Sequence, residues 1–204
     1  MNRSLRCKCG TLRGQLSEVE KCTRLVCYCK DCQAFAHYLG HPGDILDPMG
    51  GTEIIAVHPQ SLAFTEGQHA LACMSLSESG MLRWYASCCN TPIGNTSRDV
   101  RMAYVGLVHA CLADASSSLD SAFGPVRMRT GTKNAKGHPQ SSALGTITTI
   151  AGFAFSLVRA RLNGSYQRTP FFNVEPGTPV VEPKVLSRQE RARLDAACQL
   201  PGAT

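Results

Sequence analysis

Nine cysteines fall within the first 89 residues of this 204-residue chain, and seven of them stand in three tight clusters. The clusters are Cys7-Lys8-Cys9-Gly10, Cys27-Tyr28-Cys29-Lys30-Asp31-Cys32 and Cys88-Cys89-Asn90-Thr91-Pro92. So many thiols near one end of a chain mean either a disulfide scaffold or metal. The opening Met-Asn-Arg-Ser-Leu-Arg is followed by no apolar run, so reduced thiols in a cytoplasmic setting are expected. C-x-C and C-x-x-C spacings let a turning backbone aim two sulfurs at one point, and zinc takes thiolates in a tetrahedron at ~2.3 Å. The isolated Cys22, Cys73, Cys111 and Cys198 read instead as small buried hydrophobes. That reading fails for the clusters, where Lys8, Lys30 and Asp31 lie between the sulfurs.

Seven sulfurs suffice for two zinc sites. One would join Cys7 and Cys9 to the Cys88/Cys89 pair, closing a long loop and stapling the fold. The other would use only Cys27, Cys29 and Cys32. Three protein ligands leave a fourth position for water or a substrate thiolate, the arrangement of a catalytic zinc.

Turn residues punctuate the chain up to about residue 110. Between them Leu5–Leu16, Arg24–Tyr28, Thr52–Val57, Ser61–Glu66, Ala70–Ser77, Met81–Ala86 and Arg101–Val108 read as strands. Asp31–Leu39 lacks alternation and reads as a short helix ending before Gly40 and Pro42. The expectation is a mainly β domain over residues 4–110 with a mixed, partly helical extension over 111–204. Within the extension, Leu112–Asn134 reads as a short helix or loop followed by a polar stretch. Ser142–Leu162 reads as a helix with Leu144, Ile147, Ile150, Ala151, Ala154, Leu157 and Val158 on one face. Residues 141–158 carry no charge, but two glycines, three threonines and several serines make this a buried or docking helix rather than a membrane span. Its apolar face should be covered by the β-domain or by a second subunit. Ser187-Arg188-Gln189-Glu190 is a capping-box pattern opening a last helix, Arg188–Gln199.

The net charge of +6 is uneven. Residues 1–124 hold 10 Lys/Arg and 11 Asp/Glu, whereas residues 125–204 hold 11 Lys/Arg and 4 Asp/Glu. The C-terminal cations are scattered and the chain has one Trp, which argues for solvated surface and against nucleic acid. His37, His41, His58, His69, His109 and His138 form no metal-binding helix pattern and read as surface or loop residues. His37 and His41 are the ones placed to approach the second metal. No P-loop or dinucleotide fingerprint is present.

The order C-x-C-G, then C-x-C-x-x-C, then Arg83-Trp84-Tyr85-Ala86-Ser87-Cys88-Cys89-Asn90-Thr91-Pro92 resembles the glutathione-dependent formaldehyde-activating enzymes, which share their domain with centromere protein V. The resemblance covers roughly residues 4–110. It implies a zinc-containing β-tent fold and carbon–sulfur lyase chemistry on a glutathione adduct. It also implies a structural zinc on Cys7 and Cys9 and a catalytic one on Cys27, Cys29 and Cys32. The sequence departs from the family at Ala86, where a cysteine is usual, at Tyr28, where His is usual, and at Gln33, where Arg is usual. Cys88 takes the missing ligand position if the turn is tight enough to bring it beside Cys89. The expected partner is a small thiol such as glutathione. The rival expectation is a non-catalytic, zinc-stabilised binding module for a protein or nucleic acid.

Overall fold

A computed structural model of the protein describes residues 2–112, 118–140 and 143–199. Its strands are β1 (Arg3–Arg6), β2 (Arg13–Leu16), β3 (Thr23–Cys27), β4 (Thr52–Val57), β5 (Leu62–Glu66), β6 (Leu71–Ser75) and β7 (Leu82–Ala86). They continue as β8 (Thr91–Thr96), β9 (Val105–Val108), β10 (Met128–Thr130), β11 (Phe172–Asn173), β12 (Thr178–Pro179) and β13 (Lys184–Val185). The α-helices are α1 (Lys30–Tyr38), α2 (Pro42–Ile45), α3 (Leu119–Phe123), α4 (Ala143–Leu162) and α5 (Arg188–Gln199). The protein is mainly β with a helical C-terminal part.

Leu5–Leu16, expected as one strand, is a hairpin. Cys7 N–H donates to Leu12 O at 3.0 Å, and Gly10 N–H to Cys7 O at 2.9 Å. Gly10 has φ +79°, a conformation open to glycine because it has no Cβ. The first cysteine cluster is therefore the reversal itself. β1, β2 and β5 form a small antiparallel sheet.

The large sheet runs β10-β3-β4-β9-β8-β7-β6-β13. Its interior strands pair antiparallel, while β10 and β13 join β3 and β6 in parallel. The segment after residue 110 thus supplies both edge strands. β8 is absent from the expected strands because Thr91-Pro92 has the composition of a turn. It pairs with β7 all the same, with one extra residue, Ile93, between the pairs Trp84–Gly94 and Tyr85–Pro92, and such a bulge accommodates the missing N–H of the proline.

Alternate residues of this sheet feed two faces. Ile55, Val57, Leu71, Leu82, Trp84, Ile93, Val105 and Leu107 pack with Leu5, Leu12 and Leu16 of the hairpin in the main core. Trp84 is fully buried, with its indole N–H donating to Thr96 Oγ1 at 3.0 Å and its ring 4.9 Å from that of Phe171. The opposite face carries Met74 and Val108 under Ala34 and Phe35 of α1 and the Leu39 that caps it, with Leu194 of α5 beside them.

α1 is capped by Cys29, whose Sγ accepts from Cys32 N–H at 3.4 Å. α5 opens on the anticipated box, with Ser187 N–H donating to Glu190 Oε2 at 2.9 Å and Glu190 N–H to Ser187 Oγ at 3.2 Å. No helix among the described residues is long and apolar enough to cross a membrane. The expected Leu112–Asn134 segment falls partly outside the described residues, at 113–117, as does Ser142 of the expected helix. The rest of that helix is α4. Its apolar face is not covered by the β-domain: Ile147, Ile150 and Val158 are exposed. The side held to the body carries Phe153 and the buried Ala160.

Candidate metal centres

Two turns build the first site. The β1–β2 reversal presents Cys7 and Cys9, and the β7–β8 turn presents Cys88 and Cys89. Cys89 N–H donates to Ala86 O, and Asn90 has φ +53°, so this segment reverses direction instead of running as a flat strand. Both neighbouring sulfurs consequently reach the same point. Sγ–Sγ separations are 3.5 Å for Cys7–Cys9, 3.2 Å for Cys9–Cys88, and 3.8 Å for both Cys7–Cys88 and Cys88–Cys89. A tetrahedral zinc–thiolate site places its sulfurs ~3.8 Å apart, so the four fit that metal. Surrounding donors favour anionic sulfur: Leu12 N–H points at Cys7 Sγ at 3.3 Å, and the Thr91 hydroxyl lies 3.1 Å from Cys89 Sγ. The side chain of Thr11, 3.3 Å from Cys9 Sγ, leads the interactions that bring that thiol down to about 6.

The second group is Cys27 at the end of β3 with Cys29 and Cys32 at the start of α1. Their three sulfurs lie within 4.8 Å of one another, and among the described residues no fourth Cys, His, Asp or Glu joins them. Hydrogen bonds from Cys29 and Cys32 hold the Cys27 thiol low, and the same contacts push the other two up. Behind the trio lies Arg83, buried, with Nη1 4.0 Å from Cys32 Sγ, a 3.1 Å hydrogen bond to Asn95 Oδ1, and its guanidinium over the Phe35 ring. Lys30, the other cation of this segment, is exposed.

The extension walls this second group. β10 pairs with β3 so that Thr130 stands opposite Cys27, and Tyr28 N–H donates to Thr130 O at 2.8 Å. Tyr104, Met128 and Phe153 pack on the cluster containing Cys32, the two rings edge to face at 5.1 Å. Gln33 and Tyr28, beside the cysteines of this group, have structural partners. Buried Gln33 donates to Tyr28 O and Asn134 O, each at 2.9 Å, and Tyr28 Oη lies 3.1 Å from Asp47 Oδ2. Arg191 of α5 reaches Asp31, between Cys29 and Cys32, at 2.8 Å. These neighbours come from more than 50 residues away in most cases, and only the Gly- and Lys-containing composition after 124 hinted at a loop there.

Neither His37 nor His41 joins the second group; His41 lines, with His109, a cavity of about 490 Å³ bordered by Cys7 and Cys89. Cys22, Cys73, Cys111 and Cys198 lie outside both groups. Burial pushes Cys22 and Cys73 up to about 12 and Cys111 upward as well, as inert thiols require.

Residues 2–182 match the model of a family described as a family of unknown function, DUF6151. The chain belongs to the DUF6151 family. No curated protein matches it. A crystal structure of a Rhodobacter sphaeroides protein, a structural genomics target, is 15% identical, with a TM-score of 0.39 over 60% of this chain and 96% of that one. The DUF6151 match runs through the cysteine turns, β10 and α4 alike.

Proposed function

We propose that this DUF6151 protein is a two-zinc, carbon–sulfur lyase-like enzyme acting on adducts of a small thiol, such as glutathione, with an aldehyde. The observation that carries the reading is the difference between the two sulfur groups: four ligands in one, three in the other. The four-sulfur group has the donors of a closed structural site. In the three-sulfur group, zinc would supply a Lewis acid with one position open, favouring the thiolate form of a substrate sulfur. The resemblance to the glutathione-dependent formaldehyde-activating enzymes rests on the same cysteines and supplies the substrate class.

The chain's own residues have definable roles. Three thiolates on a divalent ion leave a net charge of −1, which would repel an incoming thiolate. Arg83 offsets that charge, and its burial leaves little water to screen it. Tyr104, Met128 and Phe153 pack on the apolar cluster that contains Cys32 and would narrow the approach to the trio. In the forward direction a thiolate sulfur adds to the carbonyl carbon, and the carbonyl oxygen takes up a proton. The reverse breaks the same carbon–sulfur bond and returns that proton.

The test is calorimetric titration of glutathione into zinc-loaded protein, with Cys29→Ser as control. One-site binding with proton release is expected for the parent and none for the variant. No binding by the parent, or equal binding by both, removes the thiol reading and favours a non-catalytic binding module.

A further inference from the structure

We infer that the outward face of α4 is a dimer interface and that its occupant is α4 of a second copy, running antiparallel. Among the described residues eight large apolar side chains are exposed, and five of them are on this one helix: Ile147, Ile150, Phe155, Val158 and Leu162, each 55–84% exposed. The other three, Met81, Met102 and Val185, are 40–45% exposed and lie elsewhere. The five side chains present on the order of 700 Å² of surface, above the patch a monomer ordinarily leaves bare. That is close to the ~800 Å² per partner of a standard interface.

The pattern along the helix favours a copy of itself. Ile147, Ala151, Ala154 and Val158 recur at spacings of four, three and four, a heptad seam. Ile150 and Phe155 flank this seam on either side. Under a two-fold axis between residues 152 and 153, Ala151 meets the partner's Ala154 at the centre. Ile147 then meets the partner's Val158 at each end, so two small layers sit between two large ones and the backbones approach closely. Residues 143–158 carry no charge, so the covering surface must itself be apolar. Among the described residues this helix is where such surface is concentrated. Orientation follows from Arg159 and Arg161. A parallel pair would crowd four guanidinium groups at one end, whereas an antiparallel pair separates them by the helix length and opposes the two helix dipoles.

Sedimentation equilibrium of the zinc-loaded full chain tests this inference independently of the thiol reading. The parent should be a dimer at micromolar concentration. Ile147→Lys and Val158→Glu should each weaken association by roughly 100-fold or more, because each places a charge in an apolar seam. Both positions are exposed in the protomer, so metal content and circular dichroism should not change. Mixed together, the two variants should form a heterodimer, since Lys at 147 then faces Glu at 158 of the other chain. A monomeric parent overturns the inference, including one that remains monomeric and binds anionic phospholipid vesicles. Variants that stay dimeric overturn it too, and failure of the mixed variants to associate overturns the antiparallel register.

Discussion

Arg83 is 4% exposed at its side chain, and its carboxylate neighbour among the described residues, Asp31, is half in water at 3.8 Å. So weak an ion pair does not account for burying a guanidinium, whereas a thiolate-rich metal centre on the neighbouring cysteines would. Arg83→Met keeps the stem and removes the charge. It should weaken metal binding at Cys27, Cys29 and Cys32 by about 10–100-fold while the four-cysteine site keeps its affinity. Chelator competition on the cobalt-substituted protein separates the two. Gly131 is a second such position. With φ +66°, a Cβ there would lie 2.6 Å from Cys29 N, so β10 approaches the trio only because this residue is glycine. Gly131→Ala should destabilise the fold by about 2 kcal/mol from backbone strain, and more if β10 cannot shift, as read by thermal unfolding. Neither residue announces its role in the sequence, since Arg83 and Cys32 are 51 positions apart.

Elements whose signals are local were legible. α5 is the clearest, because a capping box lies within four residues and needs no distant partner. Its chemistry predicts a pH response. The Ser187 N–H, the Ser187 hydroxyl and Lys184 bring Glu190 down to about 2 from an ordinary 4.5. A depressed carboxyl contributes stability in full above its unfolded value and loses it as pH falls through its folded one. The first turn of α5 should therefore loosen between about 4.5 and 2, seen in the Ser187 and Glu190 amide resonances, and Glu190→Gln should flatten that response. β8 shows the opposite case. Pro92 and Gly94 are poor strand residues, yet all six residues of β8 are buried, and an extra residue in β8 itself, Ile93, lets the ladder with β7 continue past the proline. A bulge of this kind is defined by the strand it pairs with, and that partner is not written in the local sequence.

For the whole molecule the decisive fact is that residues beyond 110 complete the sheet at both edges. β10 covers β3, and β13 covers β6. A fragment ending at residue 110 would bare two strand edges and the apolar cluster of Leu25, Ile54 and Ala56, so it should self-associate or precipitate. A monodisperse, monomeric fragment in size-exclusion chromatography would show that the sheet does not need its C-terminal strands. The sequence by itself determined the grouping of the thiols, since C-x-C and C-x-x-C are local geometries, along with the mainly β character and the boundaries of α5. The joining of the Cys88/Cys89 pair to Cys7 and Cys9 was expected from the sequence and the four sulfurs do meet; only the tertiary structure decided that Arg83 stands behind Cys32 and that α4 turns its apolar face outward. Each of these depends on which distant segments meet, and a hydrophobic face in sequence shows that something must cover it without showing which surface does.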